Sequence, residues 1–161
     1  MQQPNLSTVL RMLDYDPLTG IFTWKVKSGR AHPGKIAGSR HSKGYWHIRI
    51  EGRLWMAHQL AWLIVYKVWP DGDLDHDDTN KINNSIKNLR PATRSQNCCN
   101  QTKRVTNTTG FKGVTRRGAR FRAQINIAGR RTSLGSFDTA EEAAGVYQQA
   151  AKKHHGAFAR C

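Results

Sequence analysis

Acidic residues are scarce in this chain of 161 residues: Asp and Glu total 11 against 26 Lys and Arg, which leaves a formal net charge of +15. A surface that needed only solubility would carry a much smaller imbalance. Cationic side chains that neutralise phosphates release condensed counterions, so nucleic acid is the favoured partner. A well-solvated basic protein without such a partner is the alternative on charge alone.

The chain also lacks long apolar runs and has few cysteines. Its longest apolar stretch, residues 60–65, is far too short to cross a bilayer, and the opening MQQPNLSTVL has no cationic head followed by an apolar segment. These absences predict a cytoplasmic protein with no membrane partner. Cys98, Cys99 and Cys161 fit neither a disulfide framework nor a structural zinc site, so we expect free thiols.

The length allows one or two small domains. Residues 100–110 are polar, rich in Asn and Thr, and show no hydrophobic periodicity, which is typical of a linker. We place a boundary near Thr106, which predicts one domain over residues 1–105 and a second over residues 106–161.

The first domain begins with predicted strands, and a helix follows them. After the turn DYDPLTG, the segment IFTWKV alternates like a strand, and GYWHIRIEGRLWMAH predicts a hairpin with a tight turn at EGR. Leu60, Leu63 and Ile64 then recur at helical spacing, and this helix must end before Pro70. The tryptophans lie in these apolar patterns, so we expect them in the core.

The second domain reads as two hairpins and a helix. The strands are FKGVTRR, FRAQINI and RTSLGSF, and the middle one alternates apolar and polar residues, so one face can pack while the other contacts DNA. The segment DTAEEAAGVYQQAAKKHHG predicts a helix with a capping box formed by Thr139 and Glu142. The predicted fold class is therefore α+β, ending in a three-stranded antiparallel sheet packed on one helix.

Five aspartates crowd around His76 in the segment DGDLDHDDTN, residues 71–80. Crowded carboxylates repel one another, so this loop is either simply solvated or concentrates a hard divalent cation that prefers oxygen ligands. His76 taken alone would be an exposed loop histidine. Composition does not choose between these alternatives.

The continuation LDHDDTNKINNSIKNLRPATRSQN favours the cation. Residues 74–76 end a strand, a loop of turn formers follows, Asn88 begins a return segment, and TRSQNCCNQ opens a helix. Such an arrangement can bring the strand end, the return segment and the inner helix face together around one ion.

This string closely resembles the HNH endonuclease family, in particular its phage homing-endonuclease branch. Members of that branch carry an aspartate-histidine pair, then NNxxxNLR, then an asparagine after TxSxN. The matching positions are Asp75 and His76, Asn84 through Arg90, and Asn97. The resemblance covers most of residues 6–103 and implies a β-rich domain built on a ββα-metal motif.

The resemblance also implies a role for each matched residue. His76 would be the general base, because neutral imidazole accepts a proton near pH 7. Asn88 would hold the imidazole in its tautomer and orientation. Asp75 and Asn97 would hold a divalent cation, Mg²⁺ or another such as Mn²⁺, against the scissile phosphate.

Three further residues of the first domain, Arg90, Arg94 and His58, lie in or near the matched motif. Arg90 and Arg94 either contact phosphates, which we prefer, or pair with the acidic loop. His58 in AHQLAW matches a histidine common in the family, and we expect it to support the site by packing.

The second domain resembles the Apetala-type, or ethylene-response-factor, DNA-binding domain of plants over about residues 110–158. The motifs are FKGV, LGSFDTAEEAAGVYQQAA and HG, with the arginines between them. In that family a three-stranded sheet lies in the major groove. The positions that would contact DNA are Lys112, Arg116, Arg117, Arg120, Arg122, Gln124, Arg130 and Arg131. The plant tryptophans are absent, with Phe121 and Ser133 in their places, so the resemblance implies no sequence preference.

These patterns predict a metal-dependent endonuclease that hydrolyses a phosphodiester of double-stranded DNA by nicking, in the host cytoplasm if a phage encodes the chain. A non-catalytic DNA-binding regulator on an HNH scaffold is the alternative. RNA is a weaker candidate because aromatics in the usual platform patterns are missing. Double-strand cleavage would need a dimer, a second visit or a partner nick, so the sequence leaves monomer or dimer open.

Overall fold

The computed structural model describes residues 3–101, 103 and 106–159. The chain forms two compact units, one up to Ala92 and the other from Thr93 onward. Both contain helices and antiparallel sheet, which confirms the predicted α+β class. Among the described residues, no helix combines the length and the apolar character needed to cross a membrane.

The first unit consists of short strands and two helices. In chain order these are α1 (Leu6–Met12), β1 (Leu13–Tyr15), β2 (Phe22–Trp24), β3 (Ser39–Arg40), β4 (Trp46–Ile50), β5 (Arg53–Met56), α2 (Ala57–Tyr66), β6 (Asp73–His76) and β7 (Leu89–Ala92). All strand pairs are antiparallel, and the sheets are β1–β2, β3–β4–β5 and β6–β7. A single turn of 3₁₀ helix, Ile86–Asn88, leads into β7.

One apolar core joins the helices and strands of this unit. Val9, Phe22, Ile48 and Leu60 are among its buried side chains. Burying a side chain of this size contributes about 1.5–3 kcal/mol relative to leaving it exposed. Leu89 of β7 belongs to the same core, so the core also anchors the hairpin that carries His76.

The predicted β4–β5 hairpin and the helix after it are confirmed. Glu51 and Gly52 form its turn with φ of 49° and 80°, and two left-handed residues match the right-handed twist of the strands. Helix α2 follows directly and ends at Tyr66, and Lys67 caps it with a left-handed φ of 65°, before Pro70 as predicted. His58 therefore lies in the first turn of α2. Four tryptophans are core residues as predicted, namely Trp24, Trp46, Trp55 and Trp69.

The second unit contains α3 (Arg94–Asn100), β8 (Val114–Arg117), β9 (Arg120–Ile127), β10 (Arg130–Phe137) and α4 (Ala140–His155). Its antiparallel sheet has the order β10–β9–β8. Helix α4 starts at the predicted capping box of Thr139 and Glu142. Ala143 packs with Val114 and Ala123, and Tyr147 packs with Ile125. These contacts confirm the predicted sheet covered by one helix.

Three features add to the predictions. Helix α1 was not predicted, although Asn5 caps it by accepting a hydrogen bond from the Thr8 amide. Helix α3 clusters with the second unit, whereas the predicted boundary lies further along the chain, near Thr106, and stays a prediction. Cys98 and Cys99 are free thiols as expected, and Cys161 lies outside the described residues.

Candidate active site and nucleic-acid interface

The hairpin of β6 and β7 carries the predicted aspartate-histidine pair. In its register Asp75 lies opposite Arg90, and His76 lies opposite Leu89. Successive residues of a strand point to opposite faces. The two side chains therefore leave the hairpin on different sides, and the loop of residues 77–88 reaches the His76 side.

His76 is buried, with 4% of its surface exposed. Its Nε2 lies 3.2 Å from Oδ1 of Asn84. The amide nitrogen of Asn84 donates to the carbonyl oxygen of Ile82 at 3.2 Å, which fixes the amide with its oxygen towards the ring. Because that oxygen only accepts, the ring carries its hydrogen on Nε2, and the basic lone pair is on Nδ1. This burial excludes the exposed loop histidine that His76 alone would suggest.

Burial lowers the pKa of His76 below its ordinary value of 6.5. The hydrogen bond with Asn84 and the charges of Asp78 and Asp75 oppose that shift, and the charge of Lys81 adds to it. The imidazole is therefore neutral at pH 7. Neutral imidazole is the form that accepts a proton from water.

Asn84 is itself buried and held by the N-terminal turn of the unit. Its carbonyl oxygen accepts a hydrogen bond of 2.8 Å from the Tyr15 hydroxyl. Gly20, with φ of +75°, approaches so closely that a Cβ there would lie 2.2 Å from the Ser85 nitrogen. The DYDPLTG turn therefore supports the loop that positions Asn84.

Asn84 lies in the motif that resembles the HNH family, but the sequence indicated no role for it, nor for Tyr15 or Gly20. The sequence offers one indication of a role for Asn84, because it is one of several amide side chains in a loop close to a histidine. Spacing alone does not tell which of these amides faces the ring.

Two more rings surround His76. His58 lies edge to face with it at a centroid distance of 5.1 Å, and Tyr45 lies 6.1 Å from it. Burial, with the neighbouring His76 and His47, lowers the pKa of His58 to about 3. In the part of the chain that the structure describes, the buried Nδ1 of His58 has no hydrogen-bond partner. His58 is thus a neutral packing group, which matches the supporting place expected for it.

Asn88 braces the loop. Its amide nitrogen donates to Oδ1 of Asp78 at 2.9 Å and to the carbonyl oxygen of Asn83 at 2.8 Å, which uses both amide hydrogens. Its Oδ1 accepts from the Asp78 amide at 3.0 Å. We expected Asn88 at the imidazole, but the hydrogen bond found there involves Asn84. Asn88 acts on the loop that carries Asn84, and a direct role on the ring stays a prediction.

Asp75 is buried in an ion pair with Arg90. Its Oδ2 accepts from Nε and Nη2 of Arg90 at 3.0 and 2.9 Å. Nη1 of the same guanidinium lies 2.5 Å from Oδ1 of Asp77. Arg90 therefore pairs with the acidic loop, which is the alternative that the sequence left open. Its contact with DNA stays a prediction.

The donor chemistry around Asp75 suits a hard cation. Over the described ranges no three His, Cys, Asp or Glu side chains form a metal cluster. Mg²⁺ keeps several waters, so one or two protein oxygens suffice for it. Asp75 and Asp77 share one guanidinium, which leaves net negative charge at the hairpin. A carboxylate is the kind of oxygen ligand that such a cation takes, and the role of Asp75 as a metal ligand stays a prediction.

Asn97 and Arg94 belong to α3 and so to the second unit. The helix starts at a capping box of Thr93 and Gln96, and the Asn97 amide donates to the Thr93 carbonyl oxygen at 2.9 Å. The Asn97 side chain is half-buried and that of Arg94 is exposed. The roles of Asn97 as a metal ligand and of Arg94 as a phosphate contact stay predictions.

The sheet of the second unit has one covered and one open face. Helix α4 covers the face that carries Ala123 and Ile125. Cross-strand partners share a face, and Arg117 lies opposite Arg120 while Arg131 lies opposite Asn126. Among the predicted DNA-binding residues, the open face carries Arg117, Arg120, Arg122, Gln124 and Arg131.

The other predicted DNA-binding residues of this unit lie elsewhere. Arg116 pairs in register with Phe121, and Arg130 pairs with Ile127, so both belong to the helix side. Lys112 donates through Nζ to the carbonyl oxygens of Cys99 and Gln101 at 2.5 and 2.8 Å. Their contacts with DNA stay predictions.

Comparison with known proteins matches residues 56–98 to a family described as HNH endonuclease. The chain is 33% identical over 89 residues to Protein 3.8 of Escherichia phage T7, which covers 54% of this chain and 73% of that protein. It is 32% identical over 97 residues to an uncharacterised HNH endonuclease of Acanthamoeba polyphaga mimivirus, which covers 60% of this chain and 50% of that protein. The family match includes α2, β6 and β7, and it ends before β8.

Proposed function

We propose, from the match of residues 56–98 to the HNH endonuclease family, that the chain hydrolyses a phosphodiester bond of duplex DNA with His76 as general base. The observation that carries the proposal is the buried, neutral imidazole with its Nε2 held by Asn84. A carboxylate is too weak a base at pH 7 and a lysine is already protonated, so imidazole is the suitable acceptor.

In the proposed step, Nδ1 of His76 takes a proton from the attacking water. The water oxygen forms a bond to phosphorus while one P–O ester bond breaks, and the leaving oxygen takes up a proton. One strand then ends in a phosphate on one side and a hydroxyl on the other. Asn84 keeps the ring in the tautomer that this step needs, burial keeps it neutral, and His58 packs edge to face against it.

Asp75 would hold a divalent cation, Mg²⁺ or Mn²⁺. When bound, such a cation stabilises negative charge on the leaving oxygen. Arg90 offsets the charge that remains on Asp75 and Asp77.

The open face of the C-terminal sheet supports a DNA-binding role for the second unit. Arg117, Arg122 and Arg131 project on one side of a short, stiff sheet, where they can meet successive phosphates. Arg116 and Arg130 carry equal charge on the other side, which gives a matched control. Replacing Arg117 and Arg122 by Ala should lower the slope of log affinity against log salt by about 0.9 per lost contact. Replacing Arg116 and Arg130 should change this salt slope less. Equal changes of the slope in the two variants would show that the open face is not the DNA-binding surface.

Plasmid nicking tests the enzymatic proposal. The full-length chain is incubated with supercoiled plasmid and Mg²⁺, Mn²⁺ or a chelator, and the topological forms are separated on a gel. We expect nicked circles with a divalent cation and intact supercoils with the chelator. Tight DNA binding with intact supercoils under every cation would instead support a DNA-binding regulator on an HNH scaffold.

A further inference from the structure

A polar groove of about 390 Å³ lies in the first unit, beside the loop that holds Asn84. It runs between the turn before β4 and the start of the loop after β6. The lining side chains that define it are Arg40, Ser42, Lys43, Thr79, Asn80 and Lys81. Among the described residues no carboxylate lines it, although five aspartates lie close by in sequence.

The charge of the groove is unbalanced. Two of the nearby acids, Asp75 and Asp77, pair with Arg90. Asp78 keeps its charge beside the groove and accepts hydrogen bonds from the side chains of Asn83 and Asn88 and from the Asn80 amide. Within the described ranges, no ion pair involves the three exposed cations that line the groove, Arg40, Lys43 and Lys81. Three cations that line one groove repel one another, and a phosphate bound between them would relieve that repulsion.

Lys81 is held in place rather than free to move in solvent. Its Nζ donates to the carbonyl oxygen of Lys43 at 3.2 Å and lies 4.6 Å above the ring of Tyr45. The same ring lies 6.1 Å from that of His76. The groove is therefore one aromatic side chain away from the proposed general base. A cation fixed at that distance can contact a backbone phosphate next to the one being cut.

We propose that this groove binds the phosphodiester backbone of duplex DNA next to the scissile phosphate, with Arg40, Lys43 and Lys81 as the contacting cations. The proposal rests on the proposed nuclease function for its choice of DNA. Apart from Gly44 and Ile82, the described lining consists of charged, hydroxyl and amide side chains and includes no aromatic ring on which a base could stack, so the groove recognises phosphate rather than sequence.

Salt-dependent binding tests this assignment. The full-length variant with Arg40→Gln, Lys43→Gln and Lys81→Gln is compared with a control that loses the same charges from exposed sites outside the groove, Lys27→Gln, Arg30→Gln and Lys35→Gln. Affinity for a mixed-sequence 30-base-pair duplex is measured by fluorescence anisotropy at several salt concentrations. Circular dichroism melts show whether each variant is folded.

We expect the slope of log affinity against log salt to fall by about 2 to 3 units in the groove variant, at about 0.9 per lost phosphate contact. The control should lose less than one such contact. Equal decreases of the salt slope in both variants would show that only long-range charge matters. They would contradict phosphate binding in the groove. Weakened binding to single-stranded RNA with unchanged duplex binding would also overturn it. Because binding needs no cleavage, this result is independent of whether the plasmid is nicked.

Should the groove variant melt early, the single changes Lys43→Gln and Lys81→Gln repeat the measurement. Each should lower the slope by about 0.9. An unchanged slope in both single variants would count against the proposal even if the triple variant binds weakly.

Discussion

Acid should destabilise the first unit through His58. In the folded chain its pKa is about 3, because burial disfavours the charged ring, whereas the unfolded value is near 6.5. The unfolded state therefore takes up the proton first, so the stability is complete above pH 6.5 and is lost as the pH falls towards 3. At pH 5 the loss is about 1.4 kcal/mol for each of 1.5 pH units, or roughly 2 kcal/mol. Since pH 5 lies well above the folded pKa, this figure depends almost only on the unfolded value.

Tryptophan fluorescence provides a selective assay, because all 5 tryptophans lie between residues 24 and 69, in the first unit. Urea unfolding is followed at pH 7 and pH 5 for the wild type and for His58→Leu, which removes the titrating ring. Between these pH values the wild type should lose about 2 kcal/mol more than the variant. Equal losses would refute the reasoning, because they would mean that His58 takes up no extra proton on unfolding.

Two further predictions concern the support of His76. Replacing Asn84 by Ala should lower turnover roughly tenfold to a hundredfold at unchanged DNA affinity, as expected when a group that orients a functional side chain is lost. Asn84→Asp keeps the hydrogen-bond acceptor but adds a negative charge, which should raise the pKa of His76 and move the acid limb of the pH profile of turnover to higher pH. An unchanged acid limb would count against contact between this side chain and His76. Gly20→Ala should cost at least about 2 kcal/mol, because its Cβ would overlap the Ser85 backbone. Gly52→Ala, with φ of +80° and no atom within 4 Å, should cost only about 1 kcal/mol, and equal melting-temperature shifts would argue against the close approach.

Much of the architecture follows from local signals in the sequence. The alternation through Ile48 and Ile50, the capping box of Thr139 and Glu142, and the strand that ends at His76 each depend on residues close together along the chain. Hydrophobic periodicity and helix capping depend on residues a few positions apart, so they can be predicted from the sequence alone.

Contacts between segments far apart in the sequence could not be predicted in this way. Tyr15 reaches the carbonyl oxygen of Asn84 across 69 residues, and no local pattern encodes that hydrogen bond. The choice between Asn84 and Asn88 at the imidazole depends on how the loop folds back, since both are amides at plausible distances along the chain. Arg90 likewise had two plausible partners, and the register that places it opposite Asp75 favours the ion pair.

The sheet arginines show the same limit. Alternation in β9 separates Arg122 from Ala123, but it does not tell on which face a residue of β8 or β10 will lie. That depends on the register with β9, which puts Arg117 on the open face and Arg116 on the covered one.

The role of His76 is tested most directly by single-turnover nicking with the His76→Ala variant at saturating protein. We predict that the rate of the first cut falls about 10² to 10⁴-fold while the affinity for the plasmid is nearly unchanged, because a general base acts mainly in the transition state. A variant that cuts as fast as the wild type would contradict the account.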